Sequence, residues 1–258
     1  MGRLDAELVA RGLVSGRDRA ASLIREGRVR VNGRTAAKPA MQVTEADALE
    51  ADDTPYVSRG GLKLAGALQT FGLDVRGLTA VDLGASTGGF TDCLLHGGAA
   101  KVWAVDVGHD QLAAKLREDP RVVPLEGLDA RRVTRETVGG QSPDLVVTDL
   151  SFISLKGVFP AISALLDEAG RCVALIKPQF EAGRAAVGKN GVVRDKTVHA
   201  RVLREVDAAA REAGLYLQRI CESPIRGGEG NTEYLALYAK TPGPGEWDWT
   251  AVVRGAAR

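Results

Sequence analysis

The chain has 258 residues, 45% of them hydrophobic, and a net charge of +1, so it can bury a full core while its overall charge names no partner. No apolar run approaches the length of a membrane span, and the start Met1-Gly2-Arg3-Leu4-Asp5-Ala6-Glu7 is charged too early for a signal peptide. Cys93, Cys172 and Cys221 are scattered, with no Cys-x-x-Cys pair, which argues against a zinc site and for reduced thiols in the cytoplasm.

The charge is unevenly spread. Residues 1–40 carry nine basic side chains against four acidic ones, and the stretch from Glu45 to Asp53 then turns acidic up to Pro55. This predicts a small amino-terminal domain over residues 1–53, a linker over 54–57 and a larger domain over 58–258. In the small domain a helix is expected from Leu4 to Arg11, with a break at Gly12. A second helix follows, introduced by Ser15 with Asp18 as a weak capping box and closed by Gly27. Two short strands flank Asn32-Gly33, a strong hairpin signal.

From residue 58 onward strand and helix patterns alternate. Strands are expected near 79–83, 102–106, 121–125, 144–149, 171–176, 215–221 and 233–239, and helices near 58–71, 89–96, 109–118, 155–167 and 196–213. Ser58 can cap the first of these helices and Gly72 can end it. The rhythm is that of an α/β, Rossmann-like, doubly wound and largely parallel sheet. Gly183 to Gly191 fits either a loop over the site or a plain surface loop. The tail from Thr241 to Arg258, with Trp247 and Trp249, fits a short packed helix or a frayed end.

The stretch Val81-Asp82-Leu83-Gly84-Ala85-Ser86-Thr87-Gly88-Gly89-Phe90 runs from an apolar strand through a glycine turn into a helix start. Glycines there let the backbone approach a ligand, and the first helical amides face it. A dinucleotide fingerprint needs a glycine where Ser86 stands, so the turn suits the amino-acid moiety of S-adenosylmethionine better than NAD. A dinucleotide enzyme or a purely structural turn are the alternatives. Asp82, Gly84, Ser86, Gly88 and Phe90 are the expected cofactor residues of this turn. Asp106 ends the next strand, where a carboxylate can accept from two ribose hydroxyls. Asp129 follows the third strand and is expected to accept from the adenine amino group. The plain alternative for both acids is a helix cap or a solvated loop charge.

Open α/β sheets bind ligands at the carboxyl ends of their strands. Strand four ends in Asp149, followed by Leu150-Ser151-Phe152 without the two prolines usual in enzymes that methylate base amines. Lys177 stands directly after strand five, Glu233 directly before the last strand, and Lys63 on the helix preceding strand one. A lysine at a sheet edge is costly to bury unless paired, so a functional role for Lys177 competes with a snorkelling structural one.

These four residues resemble the Lys-Asp-Lys-Glu tetrad of FtsJ-type ribose 2′-O-methyltransferases, and the chain as a whole resembles the TlyA family. Its members carry the names of ribosomal-RNA methyltransferases and of hemolysins. The likeness rests on Arg3-Leu4-Asp5, Val57-Ser58-Arg59-Gly60-Gly61, Gly84 to Thr91, Asp149 to Ser154, Lys177-Pro178-Gln179-Phe180-Glu181 and Gly230-Asn231-Thr232-Glu233-Tyr234. The linker Thr54-Pro55-Tyr56-Val57 departs from the Arg-x-Trp-Val of some members. The amino-terminal segment resembles the RNA-binding domain named after the fourth small-subunit ribosomal protein. The resemblance implies an S-adenosylmethionine-dependent rRNA (cytidine-2′-O)-methyltransferase, with catalytic residues Lys63, Asp149, Lys177 and Glu233 and with Asp149 also bordering the cofactor. It also implies a phosphate-binding face of Arg3, Arg17, Arg19, Arg28, Arg30 and Lys38, with ribosomal RNA or ribosomal subunits as partner. No motif suggests a metal or a stable membrane partner. A membrane-active hemolysin and a non-catalytic rRNA-binding factor are the competing readings.

Overall fold

Residues 1–59 and 60–258 form two separate units in the computed structural model, which describes residues 1–255. The first unit contains β1 (Gly2–Arg3), α1 (Leu4–Ala10), α2 (Arg17–Arg25), β2 (Val29–Val31), β3 (Arg34–Thr35), β4 (Gln42–Val43) and β5 (Leu49–Ala51). Asn32 and Gly33 both take positive φ, 51° and 75°, as a two-residue hairpin turn requires, and they join β2 to β3. Leu4, Leu8, Leu23, Ile24 and Val29 form this unit's own core. The expected cap at Ser15 is displaced by one residue. Gly16 occupies the cap position of α2 in extended backbone, and no side chain bonds to the helix amides.

The second unit contains α3 (Gly60–Phe71), β6 (Thr79–Leu83), α4 (Gly89–His96), β7 (Lys101–Asp106), α5 (Ala114–Arg117), β8 (Val122–Glu126), β9 (Leu145–Thr148), α6 (Phe159–Leu165), β10 (Arg171–Ile176), α7 (Pro178–Glu181), α8 (Lys196–Glu212), β11 (Tyr216–Glu222), β12 (Tyr234–Ala239) and α9 (Trp249–Val252). Its sheet has the order β11-β12-β10-β9-β6-β7-β8, with β12 antiparallel to both neighbours and parallel pairing from β10 through β8. Helices α6, α8 and α9 bury Phe159, Ile162, Val206 and Trp249 against one face of the sheet. The α3–α4 pair packs on the other face.

Two expected helices are shorter than their patterns. The segment before α5 is not helical, because Gly108 turns its amide back to Asp106 (2.7 Å) and Asp110 adopts φ 56°. The run over 155–167 divides into a 3-10 turn at Leu155–Gly157 and α6, which carries a proline in its first turn. A proline has no amide hydrogen to continue an earlier helix, so a new one begins there. The loop after Gly183 contains a 3-10 turn at Arg184–Ala186, and its far end is tied down: Asn231 accepts from the Val193 amide and donates to the Gly191 carbonyl. Of the expected tail, α9 is packed with Trp249 and Val252 buried, and residues 256–258 lie outside the described residues.

Candidate active site

Strand alternation brings the polar residues onto one face. Val81, Leu83, Val146, Ile176 and Tyr234 point into the α6–α8 core. Their odd-step neighbours Asp82, Asp149, Lys177 and Glu233 therefore emerge on the α3 side, at the carboxyl ends of β6, β9 and β10 and at the start of the reversed β12. Helix α3 adds Lys63.

Two ion pairs form there. Lys63 Nζ lies 2.6 Å from Glu233 Oε2, and Lys177 Nζ lies 2.6 Å from Asp149 Oδ1. Lys177 also donates to Ser151 Oγ at 2.9 Å, and Gln179 Nε2 donates to Glu233 Oε1 at 3.2 Å. Lys63, Lys177 and Glu233 are 9%, 8% and 2% exposed. Isolated charges so withdrawn from water would cost several kcal/mol each, and the pairing offsets that cost. The Lys177–Asp149 contact is an ion contact off the hydrogen-bond line, since Asp149 Oδ1 is buried and receives no aligned donor.

Asp149 also borders a cavity of about 570 Å³ lined by Gly84, Ser86, Asp106, Gln111, Leu128, Asp129 and Phe152. Gly84 has φ 86°, and a Cβ there would fall 2.8 Å from the Asp149 carbonyl, so only glycine lets the turn lie flat against β9's end. Asp106 holds the turn by accepting from the Ser86 amide (2.8 Å) and the Gly108 amide (2.7 Å), and each oxygen keeps a second lone pair. Asp82 is fully buried. Its Oδ2 accepts from the Thr91 amide and hydroxyl, its Oδ1 has no partner, and burial pushes its carboxyl up to about 7, with Asp149 and Asp106 adding repulsion. Glycine turn, apolar walls and nearby carboxylates suit a nucleoside that carries an ammonium and a sulfonium.

Other expected cofactor residues stand differently. Asp129 borders the cavity, but Arg131 binds both its oxygens and Asp129 caps the following 3-10 turn; the Arg131 hydrogen bonds hold its carboxyl down to about 2. Gly88 caps α4 with φ 94°, and Phe90 is buried in α4; neither borders the cavity. Reasoning from sequence assigned no role to Ser151, Gln179 or Glu181. Glu181 accepts from Ser154 Oγ (2.6 Å) and the Leu155 amide (2.8 Å), clamping the loop after β9 to α7. Phe152 was also missed. It has φ 66°, is 88% exposed, and its ring lies 5.0 Å from that of Phe180. The only sequence signal for these residues is their position beside Asp149 and Lys177.

Residues 56–240 match the FtsJ-like methyltransferase family. The chain belongs to that family. Residues 2–49 match the S4 domain. The chain is 49% identical to the 16S/23S rRNA (cytidine-2′-O)-methyltransferase TlyA of Mycobacterium tuberculosis, covering 93% of this chain and 90% of that one. It is 41% identical to Hemolysin A of Brachyspira hyodysenteriae, covering 92% and 99%. A solved, hemolysin-named structure from Streptococcus thermophilus aligns with a TM-score of 0.76 at 40% identity, over 98% of this chain and 94% of that one.

In this FtsJ-like methyltransferase the S4 domain divides its basic residues into two sets. Arg28 is bound to Glu26, Asp52 and Thr54 with only 13% of its side chain exposed, and Arg19 is bound to Asp53 and the Thr54 carbonyl. Arg3 and Arg17 share Asp5. Among the described residues, Arg30 and Lys38 are exposed and form no side-chain ion pair, and so are Arg25 and Arg34, which the sequence-based set omitted. Arg19 and Arg28 hold the domain together, whereas the second set is free to meet phosphate.

Proposed function

We propose that the protein is an S-adenosylmethionine-dependent methyltransferase of ribose 2′-oxygens, acting on cytidine in ribosomal RNA in the cytoplasm, with the S4 domain docking the RNA. One observation carries the reading: two buried Lys–carboxylate pairs meet at the carboxyl edge of the sheet, and one of them, through Asp149, borders the glycine-turn cavity. The near end-to-end likeness to a cytidine-2′-O-methyltransferase supports the substrate.

Bound S-adenosylmethionine supplies an electrophilic methyl group on a positive sulfur. The Gly84 turn and the carboxylates of Asp106 and Asp149 would hold it and balance its charge, while Asp82, buried and outside the cavity wall, would brace the turn's strand from behind. A ribose hydroxyl is very weakly acidic, so its proton must be removed as the oxygen attacks. Lys177, in its neutral amine form, takes that proton and becomes the ammonium. Asp149 and Ser151 hold the amine in place, and Asp149 balances the ammonium that results. The Lys63–Glu233 pair steers the nucleotide from the α3 side, and the exposed Phe152 ring offers a face on which a base can stack.

No described helix is long and apolar enough to cross a membrane. The test is transfer of labelled methyl to purified ribosomal subunits, followed by mapping of ribose methylation. Methyl on a base, or none on RNA, would overturn the reading.

A further inference from the structure

We infer that Gln179 is a positioning residue that keeps Glu233 away from Lys177, so that the lysine faces one carboxylate instead of two. The inference rests on the methyltransferase reading above and deepens it.

Lys177 and Glu233 lie one step beyond the last antiparallel pair, Ile176–Tyr234, so they leave the sheet side by side on the same face. Directly opposed residues of antiparallel strands have Cβ atoms about 4.5–5.5 Å apart, and opposite charges there ordinarily join. These two do not. Lys177 Nζ meets Asp149 and Ser151, while both oxygens of Glu233 are taken elsewhere, Oε2 by Lys63 and Oε1 by Gln179.

Gln179 is well placed to impose this. It sits two residues after Lys177 in α7, whose first residue is Pro178. Its amide nitrogen points at Glu233 while its own Oε1 is buried without a donor. A buried acceptor left unpaired is uncommon and costs stability, so this orientation is set by the carboxylate and not by the needs of the amide. The opposite orientation would set oxygen against oxygen.

Gly227 makes the same arrangement sterically available. A Cβ at that position would lie 2.5 Å from Glu233 Oε1, so the turned-away carboxylate occupies space that only a glycine leaves.

The groups around the Lys177 amine are Asp149 and Ser151 from the loop after β9, Glu233 from β12, and Gln179 with the Phe180 ring (5.7 Å) from α7. Lys63 of α3 lies beyond Glu233, and Asp82 of β6 faces Asp149. A second carboxylate brought within about 4–6 Å of an amine makes it hold its proton to a pH higher by about 1–3 units. By tethering Glu233, Gln179 keeps that second carboxylate off Lys177, the group proposed to take the 2′-hydroxyl proton.

The experiment is the pH profile of single-turnover methyl transfer to ribosomal subunits at saturating S-adenosylmethionine, for the wild type, Gln179→Met and Gly227→Ala. Met fills the volume of Gln without donating, and Ala crowds the carboxylate from the other side. In both variants the acid limb should move to higher pH by about one unit or more, with the high-pH plateau and calorimetric cofactor affinity close to wild type. Gln179→Met combined with Glu233→Gln should show the same limb as Glu233→Gln alone, since no carboxylate remains to swing across. A limb that stays in place in both variants while rates fall at every pH would mean a merely structural role and would overturn the inference. A wild-type profile with no acid limb would also overturn it, while leaving the methyltransferase reading intact. If the wild type transfers no methyl at any pH, that reading fails and this inference with it.

Discussion

Replacing Asp82 with Asn should change how the catalytic unit's stability depends on pH. The carboxyl titrates at 3.8 in an unstructured chain and near 7 in the fold, where it is wholly buried and lies near Asp149 and Asp106. Between those values the native state holds a proton that the unfolded chain has released. Stability therefore falls as pH rises, by about 1.4 kcal/mol per unit, and the loss is complete above pH 7, reaching on the order of 4 kcal/mol. Below pH 3.8 both states are protonated and the penalty is absent. Asn keeps an oxygen for the Thr91 amide and hydroxyl and never ionises, so it should gain on the wild type steadily from pH 4 to pH 7 and then hold that gain. All three tryptophans lie in the unit beginning at Gly60, so tryptophan fluorescence during urea unfolding follows that unit alone. Titrating groups that do not interact with Asp82 cancel in the wild-type-minus-variant difference. If that difference is the same at pH 5 and pH 8, Asp82 is ionised throughout and the burial argument is wrong.

Lys177→Ala should keep fold and cofactor affinity but lower single-turnover transfer by roughly 10²–10⁴-fold, the usual worth of a positioned acid–base group. Lys177→Arg should not restore it, because a guanidinium does not give up its proton; near-wild-type rates in either variant would remove Lys177 from the chemistry. Gly84→Ala forces φ 86° on a residue with a Cβ 2.8 Å from the Asp149 carbonyl, so a stability loss of about 1–3 kcal/mol in urea unfolding and weaker cofactor binding by calorimetry are expected. In the S4 domain, Arg30→Ala with Lys38→Ala should make RNA binding less salt-dependent, the log–log slope falling by about one unit for each phosphate no longer neutralised. Arg28→Ala should chiefly lower that domain's stability; the reverse pattern, read by filter binding and thermal unfolding, would contradict the division into structural and free arginines.

Period and turn chemistry make much of this fold legible. Alternation around Val81 and Leu83 fixes which face Asp82 takes, and the same parity puts Asp149, Lys177 and Glu233 together at one sheet edge. The Asn32-Gly33 hairpin follows from backbone sterics alone. What sequence could not carry is the choice among partners. Asp129 is equally suited to a ligand amine and to a helix cap, and Arg131, two residues on, takes both its oxygens. Arg28 and Arg30 look alike in sequence, yet Arg28 lies just before β2, beside Asp52 at the end of β5, and pairs with it, whereas Arg30 lies within β2 and is exposed without an ion pair. Phe90 follows the glycine turn directly and so looks like a ligand contact, but the first turn of α4 carries its ring into the core. The helix pattern over 109–118 yields to a local competitor, the Asp106 carboxylate, which captures the Gly108 amide.

The two lysines of the site are alike in burial but not in how they are held, and that difference bears on which of them can exchange a proton. Lys63 meets a carboxylate that is 2% exposed and whose other oxygen is also satisfied, so losing its proton would strand Glu233 in a place water does not reach. Lys177 meets Asp149, whose side chain is 20% exposed at the cavity wall and whose oxygen lies off the hydrogen-bond line. It has in addition the Ser151 hydroxyl, which accepts from an ammonium and can turn to donate to an amine. A neutral Lys177 would leave Asp149 at the wall of the cavity, where solvent or a cationic ligand can balance its charge, whereas a neutral Lys63 would leave Glu233 with only the Gln179 amide. In the proposed reaction this asymmetry is the reason for giving the proton-accepting role to Lys177 and a fixed, steering charge to Lys63.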